Sequence, residues 1–284
     1  MRDALVFGGS GQIGRPLLAR LVHAGWRVTA VSRTVQADTG DVRWLRGDLG
    51  QVDGLPSAVD VVFSCGPLDL FARWYATSGI DSPQVVAFGS TSVRVKHDSP
   101  DVAERDVAAR LREGEAVVRA TATARGACAT LLRPTLVYGG GSDRTLSRIA
   151  AIARRWGRLV LPADARGLRQ PVHVDDLADA ALAATQARAA GAFDLPGGET
   201  LPYREMVARV LAALDPPPHL HAVPAPLFAA ALALARAAGR LGDFGDAALA
   251  RMREDLVFDA ASASAAFGYR PRAFRPTAAM FTPD

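Results

Sequence analysis

Four of the seven residues from Gly8 to Gly14, in the stretch VFGGSGQIGRP, are glycine, and apolar runs begin at once on either side. Glycine loses more conformational freedom on folding than any other residue, so such a cluster between ordered elements marks a need for bare backbone. ALVFG (4–8) reads as a buried strand. From about Gln12 to Ala24 the apolar residues Ile13, Leu17, Leu18, Leu21 and Val22 share one helical face. Pro16 falls in the first turn, where a missing N–H is tolerated, and Gly25 suits a C-terminal stop. The spacing Gly8–x–x–Gly11–x–x–Gly14, set between a strand and a helix with a second strand following, is the context of a dinucleotide loop. In this reading Gly8 makes the turn, Gly11 lets backbone approach a pyrophosphate, and Gly14 lets the helix pack close to the sheet. The backbone around Gln12 and Ile13 then faces the anion with the positive end of the helix dipole. An ordinary tight turn is the alternative.

Short apolar runs alternate with longer periodic ones. RVTAVSR (27–33), VRWLRGD (42–48), VDVVFSC (59–65), QVVAFGS (84–90) and CATLLRPTLVYG (128–139) read as further strands, the last with its loop, and 102–124 reads as a long helix. Continuous apolar strands between helices indicate a parallel sheet covered on both faces. The expected fold is α/β: a doubly wound parallel sheet of Rossmann type with a small, mostly helical C-terminal substrate domain. The dinucleotide-binding domain is placed at 1–135, with 170–190 returning to it, and the substrate-binding part at 136–169 and 191–284. The helix from Leu227 to Ala238 is apolar on more than one face. A core position is preferred for it; a subunit contact in a homodimer, or an apolar lid over a lipid-like substrate, are the alternatives.

The end of the second strand selects the dinucleotide. An NAD-type site usually places an acidic residue there; this chain has Ser32 and Arg33. An arginine can pair with a 2′-phosphate through parallel charge-assisted hydrogen bonds, which favours NADP(H) over NAD(H). Arg33 facing solvent, or stacking on adenine, is the alternative. Asp48, followed by Leu49 in RGDL, either accepts from the adenine amino group or caps the next helix.

Composition removes several other classes. The 284 residues carry a net charge of +4, but the arginines are scattered and no basic stripe is interleaved with aromatics, so a nucleic-acid partner is not expected. Cys65 and Cys128, the only cysteines, sit in apolar runs and read as buried thiols rather than a disulfide or metal pair. His219 and His221 alternate along a strand with nothing to complete a metal site. With no targeting segment and no membrane span, a soluble cytoplasmic protein acting on a small molecule is the simplest expectation. Lys96 is the only lysine among 33 lysine and arginine residues.

Taken together, VFGGSGQIG, RGDL, FSCGP, GSTSV, LRPTLVYGGG, RQPVHVDDLADA and DLVFDAASASAAFGYRPR resemble the extended short-chain dehydrogenase/reductase family, also called the NAD-dependent epimerase/dehydratase family. The resemblance runs nearly the whole length. It implies that Cys65 and Gly66 lie beside the cofactor ribose, that Pro134 and Thr135 border the nicotinamide, and that Ser90 takes the slot of the catalytic serine. Arg169 resembles an arginine that grips a nucleotide-sugar diphosphate.

The family's proton transfer uses a tyrosine and a lysine four residues apart on the helix after that serine. With Glu115 aligned to the acidic residue that often follows the pair, those slots hold Val107 and Leu111, so the chain resembles an atypical member. Ser90 can orient a substrate oxygen. Tyr138 either supplies a phenol or packs in the core, and packing is preferred. Lys96 and His97 follow the serine strand, with surface exposure as the default. His173 and Asp175 form a pair read chiefly as structural. The implied function is an NADP(H)-binding reductase, dehydrogenase or epimerase-like enzyme for a small organic or sugar-like metabolite. The alternative is an NADP(H)-binding sensor or scaffold without turnover.

Overall fold

The computed structural model describes residues 2–141, 143, 145–237 and 246–282. The chain divides into two units, one of Met1–Thr135, Val172–Pro196 and Asp259–Pro271, the other of Leu136–Pro171, Gly197–Phe258 and Arg272–Asp284.

The first unit is built on strands β1 (Arg2–Phe7), β2 (Trp26–Ser32), β3 (Val42–Arg46), β4 (Val61–Ser64), β5 (Gln84–Phe88) and β6 (Cys128–Pro134), joined by the strand Gly191–Leu195. They form one seven-stranded sheet in the order Gly191–Leu195, β6, β5, β4, β1, β2, β3, with every pairing parallel. Parallel strands need crossovers: α1 (Gly14–His23) joins β1 to β2, α2 (Leu68–Thr77) joins β4 to β5, and α3 (Ser92–Val95) with α4 (Val102–Ala124) joins β5 to β6. This is the doubly wound Rossmann arrangement. The order reverses beside β1, which puts the glycine loop at the switch point of the sheet.

Side chains alternate along each strand, and both faces of this sheet are buried. Leu5 and Phe7 pack with Val62, Val85, Ala87 and Leu131 under Phe71 and Tyr75 of α2 and Val118 of α4. Ala4 and Val6, pointing the other way, are equally buried. Trp74 sits with its ring 4.3 Å from Phe7 and Tyr75 stacks on Phe71, so both contribute to the helix–sheet contact. The strand Gly191–Leu195, assigned from sequence to the substrate-binding part, is instead an edge of this sheet. Its parallel pairing to β6 consumes backbone groups that a loop would leave in water.

One charged group is embedded among these apolar layers. Arg133, on β6, donates to both carboxylate oxygens of Glu115 on α4, through Nε at 2.6 Å and through Nη2. Asp194 lies beside them, 3.7 Å from Arg133 Nη1, and its other oxygen meets Arg94 Nε at 3.1 Å. Glu115, Arg133 and Asp194 are almost fully buried.

The second unit has its own core of Tyr138, Leu146, Leu161, Met206, Val210, Phe274 and Phe281. Its strands pair in short ribbons: Arg158–Pro162 with His219–Val223 in parallel, Leu168–Arg169 with Leu201–Pro202 antiparallel. The helix Leu146–Trp156 is capped by Asp143, whose carboxylate accepts from the backbone N–H of Thr145 and Leu146. The apolar helix spans Ala225–Ala237, and the position-238 end expected from sequence lies outside the described residues. Its side chains are not core as preferred: Leu232 is buried, but Leu227 is 63% and Leu234 72% exposed. Among the described residues no helix is long and apolar enough to cross a membrane, and no group of three or more His, Cys, Asp or Glu side chains could hold a metal ion.

Breaking the Glu115–Arg133 pair from one side strands a buried charge. Glu115→Ala is expected to destabilise the protein by about 3–5 kcal/mol, whereas the double variant Glu115→Leu/Arg133→Met recovers most of that loss. Urea unfolding of the parent and the two variants checks this; a Glu115→Ala variant as stable as the parent contradicts it.

Candidate functional site

The carboxyl ends of β1, β2, β3 and β4 meet at the glycine loop. Gly8 leaves β1 with φ at +76°, a conformation L side chains rarely adopt, and a Cβ there would lie 3.1 Å from the Cys65 carbonyl carbon. Gly11 N–H donates to the Gly8 carbonyl at 3.0 Å and Arg15 N–H to the Gly11 carbonyl at 3.0 Å, which curls the loop into the first turn of α1. A Cβ at Gly14 would overlap the Gly8 carbonyl oxygen and lie 2.7 Å from Gly9 Cα. The start of the helix is therefore pressed against the loop that leaves β1. Ile13 is the N-cap of α1; no side chain caps this terminus and no acidic residue lies in its first turn. The side-chain oxygen Oε1 of Gln12 is buried with no hydrogen-bond partner in the protein. An uncapped helix start beside bare backbone fits an anionic group such as a diphosphate.

At the end of β2 a chain of hydroxyls runs beside Arg33. Ser10 Oγ lies 2.9 Å from Ser32 Oγ, which lies 3.1 Å from Thr34 Oγ1 and accepts from Thr34 N–H at 3.2 Å. Arg33 is exposed. Asp48 follows β3 and neither caps a helix nor stands free. Its Oδ1 accepts from Gly50 N–H at 2.8 Å and Gln51 N–H at 3.1 Å. Those two backbone donors, with a smaller contribution from Arg33, hold its carboxyl below the usual range. Leu49 reaches toward Gly66, where a Cβ would lie 3.6 Å from its Cδ1. Cys65 N–H donates to the Phe7 carbonyl at 2.9 Å, and burial pushes its thiol up to about 12. Cys65 thus shapes the loop opposite Gly8 and is a poor nucleophile.

The ends of β5, β6 and Gly191–Leu195 form a second group. Ser90 sits in a tight turn after β5, its Oγ donating to Ser92 Oγ and accepting from Ser92 N–H, each at 3.1 Å. The Pro134 carbonyl accepts from both the backbone and the hydroxyl of Thr91, each at 3.2 Å. Thr135 N–H donates to Leu195 at 3.3 Å. Behind Gly89, whose Cβ position lies 3.5 Å from Glu115 Oε1, stands the Glu115–Arg133–Asp194–Arg94 group. Burial raises the Asp194 carboxyl, against the pull of Arg94 and Arg133. Val107 and Leu111 lie half-buried on the inner side of α4, bringing no acid or base.

Two residues carried over from the resemblance are committed elsewhere. Tyr138 is 1% exposed and meets Phe274 edge-on at 4.9 Å, which is the packing alternative. Arg169 is buried and donates from Nη1 to the carbonyls of Leu168 and Glu254, at 2.7 and 2.8 Å, and from Nη2 to that of Arg251. Its guanidinium also stands over the Tyr203 ring. It is a brace within the second unit, with its donors spent on backbone rather than offered to a diphosphate. His173 caps the helix Val174–Gln186 by accepting from Asp175 N–H at 3.1 Å, and Asp175 pairs with Arg20 of α1.

The sequence reading missed the Arg94–Asp194–Arg133–Glu115 group. Its members are scattered over a hundred positions and no spacing unites them; only the strand order does.

A model of the NAD dependent epimerase/dehydratase family matches residues 89–194, from the turn after β5 to the edge strand. Over 251 residues it is 29% identical to a 2-alkyl-3-oxoalkanoate reductase of Stenotrophomonas maltophilia, an alignment covering 75% of this chain and 76% of the relative. Among solved structures it resembles MoeE5 in complex with UDP-glucose and NAD, at a TM-score of 0.70 and 22% identity over 96% of this chain and 94% of that one. It also resembles a UDP-glucuronic acid 4-epimerase from Bacillus cereus in complex with NAD, at 0.68 and 13% over the same shares. At these identities the two structures establish the fold alone.

With a pKa near 12, the Cys65 thiolate is a ten-thousandth of the thiol at pH 8. Alkylation of Cys65 by iodoacetamide, followed by peptide mass spectrometry in a Cys128→Ser background, is expected to be slow at pH 8. Its rate should rise about tenfold per unit to pH 11 without a plateau. A plateau below pH 9 contradicts the assignment.

Proposed function

We propose that this protein is a soluble cytoplasmic reductase that uses NADP(H) to transfer hydride to or from a small organic carbonyl compound. The observation that carries the reading is the uncapped start of α1 closed against the Gly8–Gly14 loop, beside the hydroxyl chain and Arg33 at the end of β2. The loop amides and helix dipole would seat the pyrophosphate. Ser10, Ser32 and Thr34, with Arg33, would hold a 2′-phosphate, which needs several donors and a cation. Cys65 and Gly66 would border the ribose, Asp48 and Leu49 the adenine, and Pro134 and Thr135 the nicotinamide. A reduced nicotinamide supplies hydride when bound; the protein positions it and excludes competing reactions. Ser90, held in its turn, would donate to the substrate carbonyl oxygen.

The commitment of Arg169 to three carbonyls favours a substrate without a nucleotide diphosphate. A 3-oxo acid, the class for which the Stenotrophomonas relative is named, fits better than a UDP-sugar. The apolar Val107 and Leu111 favour one other reading, a nicotinamide-binding sensor without turnover.

Arg33→Ala is expected to weaken NADPH binding about 10–100-fold, the worth of one charge-assisted pair, and to leave NADH binding within about twofold. Calorimetric titration of both cofactors into parent and variant checks this; equal losses for the two remove the 2′-phosphate assignment. Turnover of NADPH with 2-alkyl-3-oxo acids separates enzyme from sensor.

A further inference from the structure

We propose that Lys96 is the proton donor of this reductase, held in place by Glu104 and Ser99; the inference rests on the reductase reading above. Of 33 lysine and arginine residues, 96 alone is lysine. Every other one of those positions is arginine, including the braces and buried pairs described above. A guanidinium performs those tasks equally well or better, but it does not release its proton in proteins, whereas an ammonium can. The surviving lysine therefore marks a position where arginine's fixed charge would not serve.

The surroundings agree. Lys96 follows α3, which begins in the turn made by Ser90. Val93 N–H donates to the Ser90 carbonyl at 3.2 Å, Arg94 N–H to that of Thr91 at 2.9 Å, and Lys96 N–H to that of Ser92 at 3.1 Å. One short helical path thus links the hydroxyl that would orient the carbonyl to the ammonium. The Lys96 side chain is only 24% exposed, and its Nζ lies 3.5 Å from Oε1 of Glu104. Glu104 is itself buried, and its other oxygen accepts from Ser99 Oγ at 2.8 Å. The loop between is latched by Arg105, which donates to the carbonyls of Ser99 and Pro100 at 2.7 and 3.0 Å. An exposed, swinging lysine has no need of this scaffold.

The position on α4 completes the argument. A long helical side chain leans toward the N-terminus and covers the turn before its own Cα. Any group reaching out from position 107 would lie over the turn that contains Glu104. The Lys96 ammonium meets that turn at Glu104, 3.5 Å from its Oε1. In the step, hydride bonds to the carbonyl carbon with its electron pair and the C=O π bond breaks. The electron pair left on oxygen takes a proton from Lys96. The resulting amine regains one from water, and the reduced nicotinamide leaves oxidised. Glu104 is a positioning residue in this scheme.

The single lysine makes the test direct. Reductive methylation with 13C-formaldehyde labels two amines, Lys96 and the amino terminus, and Lys96→Arg assigns the signals. NADP+ is expected to move the Lys96 methyl resonance, while 2′-phospho-ADP-ribose, which lacks the nicotinamide ring, binds without moving it. In unlabelled protein, Lys96→Arg keeps the charge opposite Glu104 and should leave NADPH affinity within about twofold. It should lower kcat with a 3-oxo acid about 100-fold or more, the usual worth of a general acid. If NADP+ binds and the Lys96 signal stays in place, or if Lys96→Arg turns over at the parent rate, the proposal is overturned. If no pyridine nucleotide binds, the reductase reading fails first and takes this inference with it.

Discussion

Everything at the candidate site depends on one close approach, that of the first residue of α1 to the carbonyl of Gly8. No side chain fits between them. Because Gly14 has none, the helix can start directly on the loop. Its first N–H groups then emerge at the carboxyl edge of the sheet, at the switch point of strand order. The positive φ of Gly8, the Gly11–Gly8 hydrogen bond and the uncapped Ile13 are parts of the same constraint. A helix start left uncapped costs hydrogen bonds that a Ser or Asp would otherwise supply. Asp143, Asp101 and His173 cap other helices, and α2 and Tyr203–Ala212 start uncapped as α1 does; what sets α1 apart is the bare glycine backbone pressed against its start. An anionic ligand is the economical explanation.

The opposite half of the strand edge is organised by charge rather than by bare backbone. Glu115, Arg133, Asp194 and Arg94 tie α4, β6, the edge strand and α3 into one network. It lies directly behind the turn that carries Ser90, and a hydroxyl is useful for orientation only if its backbone does not shift. Rigidity there and openness at α1 are complementary: one end seats the ligand and the other fixes the geometry of the reacting group.

The sequence was most readable where a local pattern and the tertiary structure ask for the same thing. The helix at 102–124 is found with those limits because its apolar stripe faces the α2 layer and Asp101 caps it. Five strands were read one or two residues too far at their carboxyl ends, because the turn residues following an apolar run look like strand but form the turns of the site. The glycine spacing showed where a loop had to be bare, yet not that Gly14 presses on the loop, since a one-dimensional pattern does not name the neighbour. Long-range commitments were illegible. Nothing near Arg169 in the sequence announces the carbonyls of 251 and 254 that it meets, whereas the packing preferred for Tyr138 is what Phe274 provides. The strand Gly191–Leu195 was misplaced because its five residues carry little signal without the β6 edge beside them. The helix Ala225–Ala237 shows the converse error: apolar composition suggested burial, and the fold leaves Leu227 and Leu234 in solvent.

The central claim is that the α1 start and its glycine loop hold the diphosphate of a nicotinamide dinucleotide. The most direct measurement is calorimetric titration of the purified protein, and of a Gly14→Ala variant checked for folding by circular dichroism, with NADPH, NADP+, NADH and NAD+. The account predicts saturable binding to the parent, tighter for the phosphorylated pair, and its loss in the folded variant. A parent protein that takes up none of the four at millimolar concentration, or a folded Gly14→Ala variant that binds them as the parent does, would contradict it.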